Sequence, residues 1–254
     1  DQGLGHLVSL LKDTGKWENT VLIYTADHGM AFPGGKTTVY EAGLRVPFIV
    51  RHPGAKKRGV VNNAMISHVD ITPSILDLAQ AYDADRQAPL KLISVAKVPS
   101  GENGGKPPKA YHGRSWVPVL EEASPKGWDE IGASHTFHEI QMYYPMRVVR
   151  DRKYKLIWNI AWRQPYPFAS DLWRASTWQA QYAKGTEAPY GKRTVDSYIN
   201  RPQFEHYDIS SDPSETRNLA EDPAFANVLS HYQSKLKAMQ KRTEDPWLMK
   251  WRYE

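Results

Sequence analysis

The sequence predicts an α/β protein carrying a second, largely antiparallel part, and three observations predict it. A helix pattern at the start of the chain leads into a short, wholly apolar strand, Val21-Leu22-Ile23-Tyr24-Thr25. A polar loop rich in glycine follows, and then a second apolar run, Val46 to Val50. Further on, strand-like runs are joined by short polar turns and end in one long amphipathic stretch. Helix, strand, loop, strand is α/β order, and a later run of strands and a helix is the order of an antiparallel appendage.

The elements follow in turn. Leu4, Leu7, Val8 and Leu11 recur at i, i+3, i+4, i+7, one apolar face of a helix. Thr14-Gly15 ends it, with Gly15 as a left-handed cap. The run 21–25 is continuously apolar, as in sheets covered on both faces. Residues 67–80 start another helix, with Thr72 as N-cap, Pro73 at the first helical position and Ile75, Leu76, Leu78 and Ala79 on its apolar face. Residues 83–112 are rich in Pro, Gly, Lys and Ala without a period, which marks a surface excursion or a boundary. This divides the chain into 1–112, an α/β part, and 113–254, an antiparallel-sheet and helix part. In the latter, Met146 to Val149 and Tyr154 to Ile160 read as strands joined by the turn Arg150-Asp151-Arg152-Lys153, and His206 to Ile209 as a third. Asp222 to Thr243 reads as a long helix with Phe225, Val228, Leu229, Tyr232, Leu236 and Met239 on one stripe.

Composition narrows the function. The 254 residues are 41% hydrophobic and 24% charged, with a net charge of +5. That is enough apolar material for a core and too scattered a positive charge for a nucleic-acid stripe, so no nucleic-acid partner is expected. A polyanionic substrate suits a mildly basic surface. Cysteine is absent, which excludes disulfides, thiolate metal sites and cysteine nucleophiles within this chain. No apolar run approaches the ~20 residues of a membrane span, so no membrane partner is expected.

The chemistry concentrates after the first strand, in Asp27-His28-Gly29 and Gly34-Gly35-Lys36. In α/β sheets ligands bind beyond the carboxyl ends of strands. A carboxylate beside an imidazole there begins a metal site or caps a turn, and Gly29 permits the bend that would turn both inward. Lys36, eight residues past His28, either returns to the same strand end as a point charge for an anion or is a solvated loop lysine. Glu41 and Arg45 stand at i, i+4 and are expected to pair. Aromatic residues are dense from Tyr143 to Tyr207, interleaved with Arg and Lys. Most are expected to pack a loop-rich subdomain, and a few to line a pocket.

Asp-His-Gly, Gly-Gly-Lys, Tyr40-Glu-Ala-Gly-Leu-Arg-Val-Pro47, Ser67-His-Val-Asp-Ile-Thr-Pro73 and Tyr207-Asp-Ile-Ser-Ser-Asp-Pro-Ser-Glu-Thr-Arg-Asn-Leu-Ala220 resemble, in order and spacing, the formylglycine-dependent sulfatases of the alkaline-phosphatase superfamily. His138-Glu139 through Arg147, Lys155 to Asn159, Thr243 to Trp247, and Phe32-Pro33 resemble the heparan N-sulfatase branch. The resemblance implies the C-terminal part of an alkaline-phosphatase-like mixed sheet flanked by helices, plus a small subdomain with an antiparallel sheet and a long helix. It implies a sulfatase of sulfated glycans, most closely of the N-sulfoglucosamine of heparin or heparan sulfate. It also implies a secreted, periplasmic or lysosomal setting.

Carried onto this sequence, the resemblance makes Asp27 a ligand of one Ca2+ shared with ligands outside the chain. His28 stands where many relatives have asparagine, so it ligates the ion, contacts the sulfate or marks a different ion, since calcium prefers oxygen. Lys36 holds a sulfate oxygen and serves catalysis together with His28. His138, Glu139 and Arg147 face the sugar, although His138 and Glu139 read equally well as a hydrogen-bonded strand-edge pair. The family nucleophile is a formylglycine made in a Cys/Ser-x-Pro-x-Arg motif, which this chain lacks. The resemblance therefore implies an N-terminal half, separate or missing from this sequence, as a partner, and leaves a homodimer open. Three other readings stand beside this one: an O-sulfatase for other polysaccharides, a phosphatase or phosphodiesterase of the same superfamily, and a glycan-binding module without catalysis.

Overall fold

The computed structural model describes residues 1–85, 87–89, 111–139 and 142–253. Most of the expected excursion at 83–112 therefore lies outside the described residues. The first helix, α1 (Gln2–Asp13), forms where its periodicity places it. Its end is a Schellman turn: Lys16 N–H reaches Leu11 O at 2.8 Å and Gly15 N–H reaches Lys12 O at 3.0 Å, with Gly15 at φ +69°. No residue of α1 is buried. Strand β1 (Leu22–Thr25) pairs antiparallel with β2 (Phe48–Arg51), Leu22 opposite Arg51. Within this chain Tyr24 and Ile49 stay exposed on this pair. Between the strands, the loop from Ala26 returns through a one-turn helix, α2 (Glu41–Leu44).

Helix α3 (Ile71–Leu78) starts earlier than Thr72 predicts. Ser67 and Asp70 form a capping box around the short 3-10 turn His68–Asp70, and that turn runs directly into the helix. The reason is a competing cap: Asp70 Oδ2 accepts the Ser67 amide at 2.8 Å, which satisfies the helix entry before Thr72 is reached. The segment after residue 111 packs back onto this turn. Arg114 N–H donates to Asp70 Oδ1 (2.9 Å) and Trp116 N–H to Ser74 Oγ (3.0 Å).

The core is a four-stranded antiparallel sheet in spatial order β6-β5-β4-β3. Its strands are β3 (Glu130–His138), β4 (Met142–Asp151), β5 (Tyr154–Asn159) and β6 (Phe204–Asp208). Strand β4 is ten residues long because its alternation continues through Met142, Tyr144 and Met146. Both faces are buried, and the pleat sorts them. Met146, Val148 and Ile157 face Val39, Tyr40, Tyr166 and Leu172. Val149, Leu156 and Trp158 face Tyr232 and Leu236 of the last helix, α5 (Ala226–Arg242). The first face matters for function, because it fixes the chain just after Lys36 against the sheet. Among the described residues no helix is long and apolar enough to cross a membrane.

Candidate active site

The strand-end loop is held by backbone before any side chain acts. Gly29 N–H donates to Gly43 O at 2.9 Å, and Lys36 N–H to Met30 O at 2.9 Å. These approaches need glycine: a Cβ on Gly29 would lie 1.7 Å from Ala42 O, and one on Gly35 would lie 2.3 Å from Met30 O. Gly29 is thus more than a flexible bend. It lets the Asp27-His28 turn rest directly on α2.

Tyr40 and Glu41 pin α2 to the sheet. Tyr40 Oη donates to buried Glu205 on β6 at 2.7 Å. Glu41 does not pair with Arg45, contrary to the i, i+4 expectation, because α2 is only one turn long and the sheet offers better partners. It takes a two-pronged contact from Arg150 on β4 (3.0 Å each) and one from Lys155 on β5 (3.2 Å). Lys155, wholly buried, also pairs with Glu215 at 2.7 Å, and Glu215 accepts the Glu41 amide at 2.6 Å. Burial pushes the Glu41 carboxyl up, but Lys155 and Arg150 outweigh it and hold it below the ordinary range. For Glu215 burial wins over Lys155, and its pKa is raised. The Glu215 loop thereby clamps α2, and with it the Asp27-His28 turn.

Asp27, His28, Lys36 and His138 all line one cavity of about 1180 Å³, which His68 and His135 also line. Asp27 Oδ1 accepts the His28 amide at 3.0 Å. His28 Nδ1 lies 2.7 Å from Gly29 O, a carbonyl that can only accept, so Nδ1 carries a hydrogen. The other ring nitrogen, Nε2, then lies 3.5 Å from Asp27 Oδ2. Lys36 Nζ donates to Asp171 Oδ2 at 2.7 Å, from the four-residue helix α4 (Ser170–Trp173). The Lys36 ammonium holds the Asp171 carboxyl below its ordinary range. The preceding residue, Ser170, donates Oγ to Glu139 at 3.0 Å, and Glu139 stands 3.9 Å from His138. His138 and Glu139 therefore reach α4 and the Lys36 pair through Ser170.

Arg147 does not join this group, contrary to expectation. It lies nearly buried on β4, where its guanidinium clasps Asp245 (Nη2 to Oδ1 3.1 Å) and faces the Trp247 ring at 4.7 Å. Strand alternation explains it: an inward residue of a sheet covered on both faces finds a buried partner on the covering segment. Asp171 was missed by sequence reasoning, since 135 positions separate it from Lys36 and no local pattern links them. The aromatic stretch mostly packs, as Trp178, Tyr198 and Tyr166 show, while Trp173 and Tyr182 remain partly exposed.

Cations outnumber carboxylates on the cavity wall. Lys36, Arg45, Arg51, Lys57, Arg58, Arg150 and Arg152 line it, against Asp27 and Glu41. Four of these cations are neutralised, by Asp171, Glu18, Glu41 and Asp129. Arg45, Lys57 and Arg58 have no ion pair among the described residues and give the opening its field.

Residues 1–81 match the sulfatase family model. The chain is 36% identical to human N-sulphoglucosamine sulphohydrolase over 251 residues, 98% of this chain and 47% of that protein. It is 28% identical to an ulvan-active sulfatase of Formosa agariphila, over 86% of this chain and 36% of that protein. A solved structure of a protein bound to its substrate D-glucosamine-2-N,6-O-disulfate superposes with a TM-score of 0.64 at 23% identity, over 97% of this chain and 39% of that one. The chain thus spans about half the length, or less, of the relatives it matches. Its motifs, its fold and these likenesses agree: residues 1–81 match the sulfatase family model, and the chain as a whole is similar to sulfatases.

Proposed function

We propose that this chain supplies the lysine-bearing side of a sulfatase active site that cleaves sulfate from sulfated glycans, with the N-sulfoglucosamine of heparin or heparan sulfate as the preferred target. The observation that carries the reading is the meeting of Asp27, His28, Lys36 and His138 on one positively lined cavity. The 36% identity to an N-sulphoglucosamine sulphohydrolase supports the choice of substrate. The setting would be secreted, periplasmic or lysosomal, where such glycans are degraded.

The Lys36 ammonium binds a sulfate oxygen as a point charge and offsets the charge that develops there in the transition state. The unpaired cations Arg45, Lys57 and Arg58 draw the polyanion in. His138 orients the sugar, held in turn by Glu139 and Ser170. The attacking group is proposed to come from outside this chain, as the formylglycine of the family.

The residues present fit a shared cation site. Among the described residues no group of three His, Asp or Glu side chains could hold a metal. Yet His28 Nδ1 is tied to the Gly29 carbonyl, so in the neutral ring the Nε2 lone pair points out beside Asp27 Oδ2. Two lone pairs 3.5 Å apart stabilise each other only through a proton or a cation. Asp27 and His28 would hold one side of a Ca2+ ion, with oxygen ligands from outside the chain completing its shell. Bound there, the ion supplies Lewis-acid polarisation of a sulfate oxygen.

The test is sulfate release by the protein expressed from its full reading frame, offered N-sulfoglucosamine, glucosamine 6-O-sulfate and a phosphate monoester, with and without a calcium chelator. The reading expects fastest turnover of the N-sulfo sugar and loss of activity on chelation. Faster turnover of the phosphate monoester would replace it with a phosphatase.

A further inference from the structure

A lysine that receives a sulfate would ordinarily be left free to attract it. Here Lys36, 18% exposed, is already joined to Asp171 at 2.7 Å, and Asp171 remains 45% exposed. A bare carboxylate at that distance weakens the pull of the ammonium on any anion. Packing does not require it, because nearly half of the Asp171 side chain is in solvent. The carboxylate is also held in place. Ser170 is bound to Glu139 through both its hydroxyl and its amide (3.0 and 3.4 Å), and Leu172 N–H donates to Asp171 Oδ1 at 2.9 Å. Asp171 Oδ2 therefore stands as a fixed hydrogen-bond acceptor directly beside the sulfate-binding cation.

An O-sulfate ester has no hydrogen on its bridging atom. A sulfamate has one, on the nitrogen next to sulfur, and its product is an ammonium. We infer that Asp171 is a specificity-determining residue that accepts the sulfamate N–H beside Lys36 and so selects N-sulfo over O-sulfo sugars. With an N-sulfo group the Lys36–Asp171 pair meets both an anion and a donor, and nothing is left unpaired. With an O-sulfate the carboxylate faces ester oxygens and repels them. Hydrogen bonds to a charged acceptor are strong enough for this to be read as at least a tenfold preference. The inference rests on the sulfatase reading above and names the substrate class of that same site.

The test compares the wild-type protein, from its full reading frame, with Asp171→Asn and Asp171→Ser. The readout is the ratio of kcat/KM for N-sulfoglucosamine to that for glucosamine 6-O-sulfate. Inhibition by methylsulfamate against methyl sulfate is a second readout that needs no sugar. The inference expects the ratio to fall about tenfold or more in both variants, and the preference for methylsulfamate to fall with it. Equal losses on both substrates would make Asp171 a mere support for Lys36 and overturn the inference. If the wild type turned over only O-sulfates, the inference would fail while the sulfatase reading stood. Release of sulfate from neither substrate would sink that reading itself.

Discussion

Replacing Glu41 with glutamine tests the clamp behind the site. Two cations, Arg150 and Lys155, face two carboxylates, Glu41 and Glu215, and the Lys155 side chain is fully buried. Glu41→Gln leaves two positive charges against one negative charge around a wholly buried lysine. Breaking a buried pair from one side costs about 3–5 kcal/mol, a large share of the ~5–15 kcal/mol that holds a domain together. Adding Lys155→Met restores neutrality, leaving Arg150 with Glu215. The double variant should therefore recover at least ~1 kcal/mol relative to the sum of the single losses. Urea unfolding of the four proteins measures this directly. Additive losses, within about 0.5 kcal/mol, would show that the four groups do not act as a unit and would refute the clamp.

Other outcomes follow from the same contacts. Gly29→Ala forces a Cβ against the Ala42 carbonyl and should cost about 1–3 kcal/mol in a thermal melt, with sulfate binding weakened as the Asp27-His28 turn lifts from α2. Arg147→Ala strands Asp245 and should destabilise by about 3 kcal/mol or more while leaving the KM for a sulfated sugar in place; a raised KM with normal stability would return Arg147 to the sugar site. The carboxyls of Glu41 and Asp245 are held below their ordinary values of 4.5 and 3.8, burial opposing and cationic partners prevailing. Their stabilisation is full above those values and is lost as pH falls through the lower folded-state values, so the urea midpoint should drop below about pH 4. Glu215, raised by burial, works the other way: its share is present below 4.5 and lost as pH rises through its folded value. A midpoint that stays level down to pH 3 would contradict the assignment.

The parts of this molecule legible in its sequence are those set by local rules. The periodicity of α1 and α5, the Gly15 cap and the turn between β4 and β5 all depend on neighbours within a few residues. The Asp27-His28 turn and Lys36 were found because strand ends and glycines mark a binding loop. Contacts across the chain were not legible. Arg147 looked like a ligand-facing cation, yet its partner lies 98 positions away. Asp171 carries no local signal, and Glu41 passed over its near neighbour Arg45 for cations more than a hundred positions on. Strand β3, which brings His135 and His138 to the cavity, went unread because its alternation, from Glu130 to His138, is broken by glycine and polar residues.

The central claim is that Lys36, beside Asp27 and His28, holds the sulfate that is cleaved. Sulfate release from N-sulfoglucosamine by Lys36→Ala, in the protein expressed from its full reading frame, tests it most directly. The account predicts that kcat/KM falls about a hundredfold or more while the fold, by circular dichroism and thermal melt, is kept. Wild-type turnover by Lys36→Ala would contradict it.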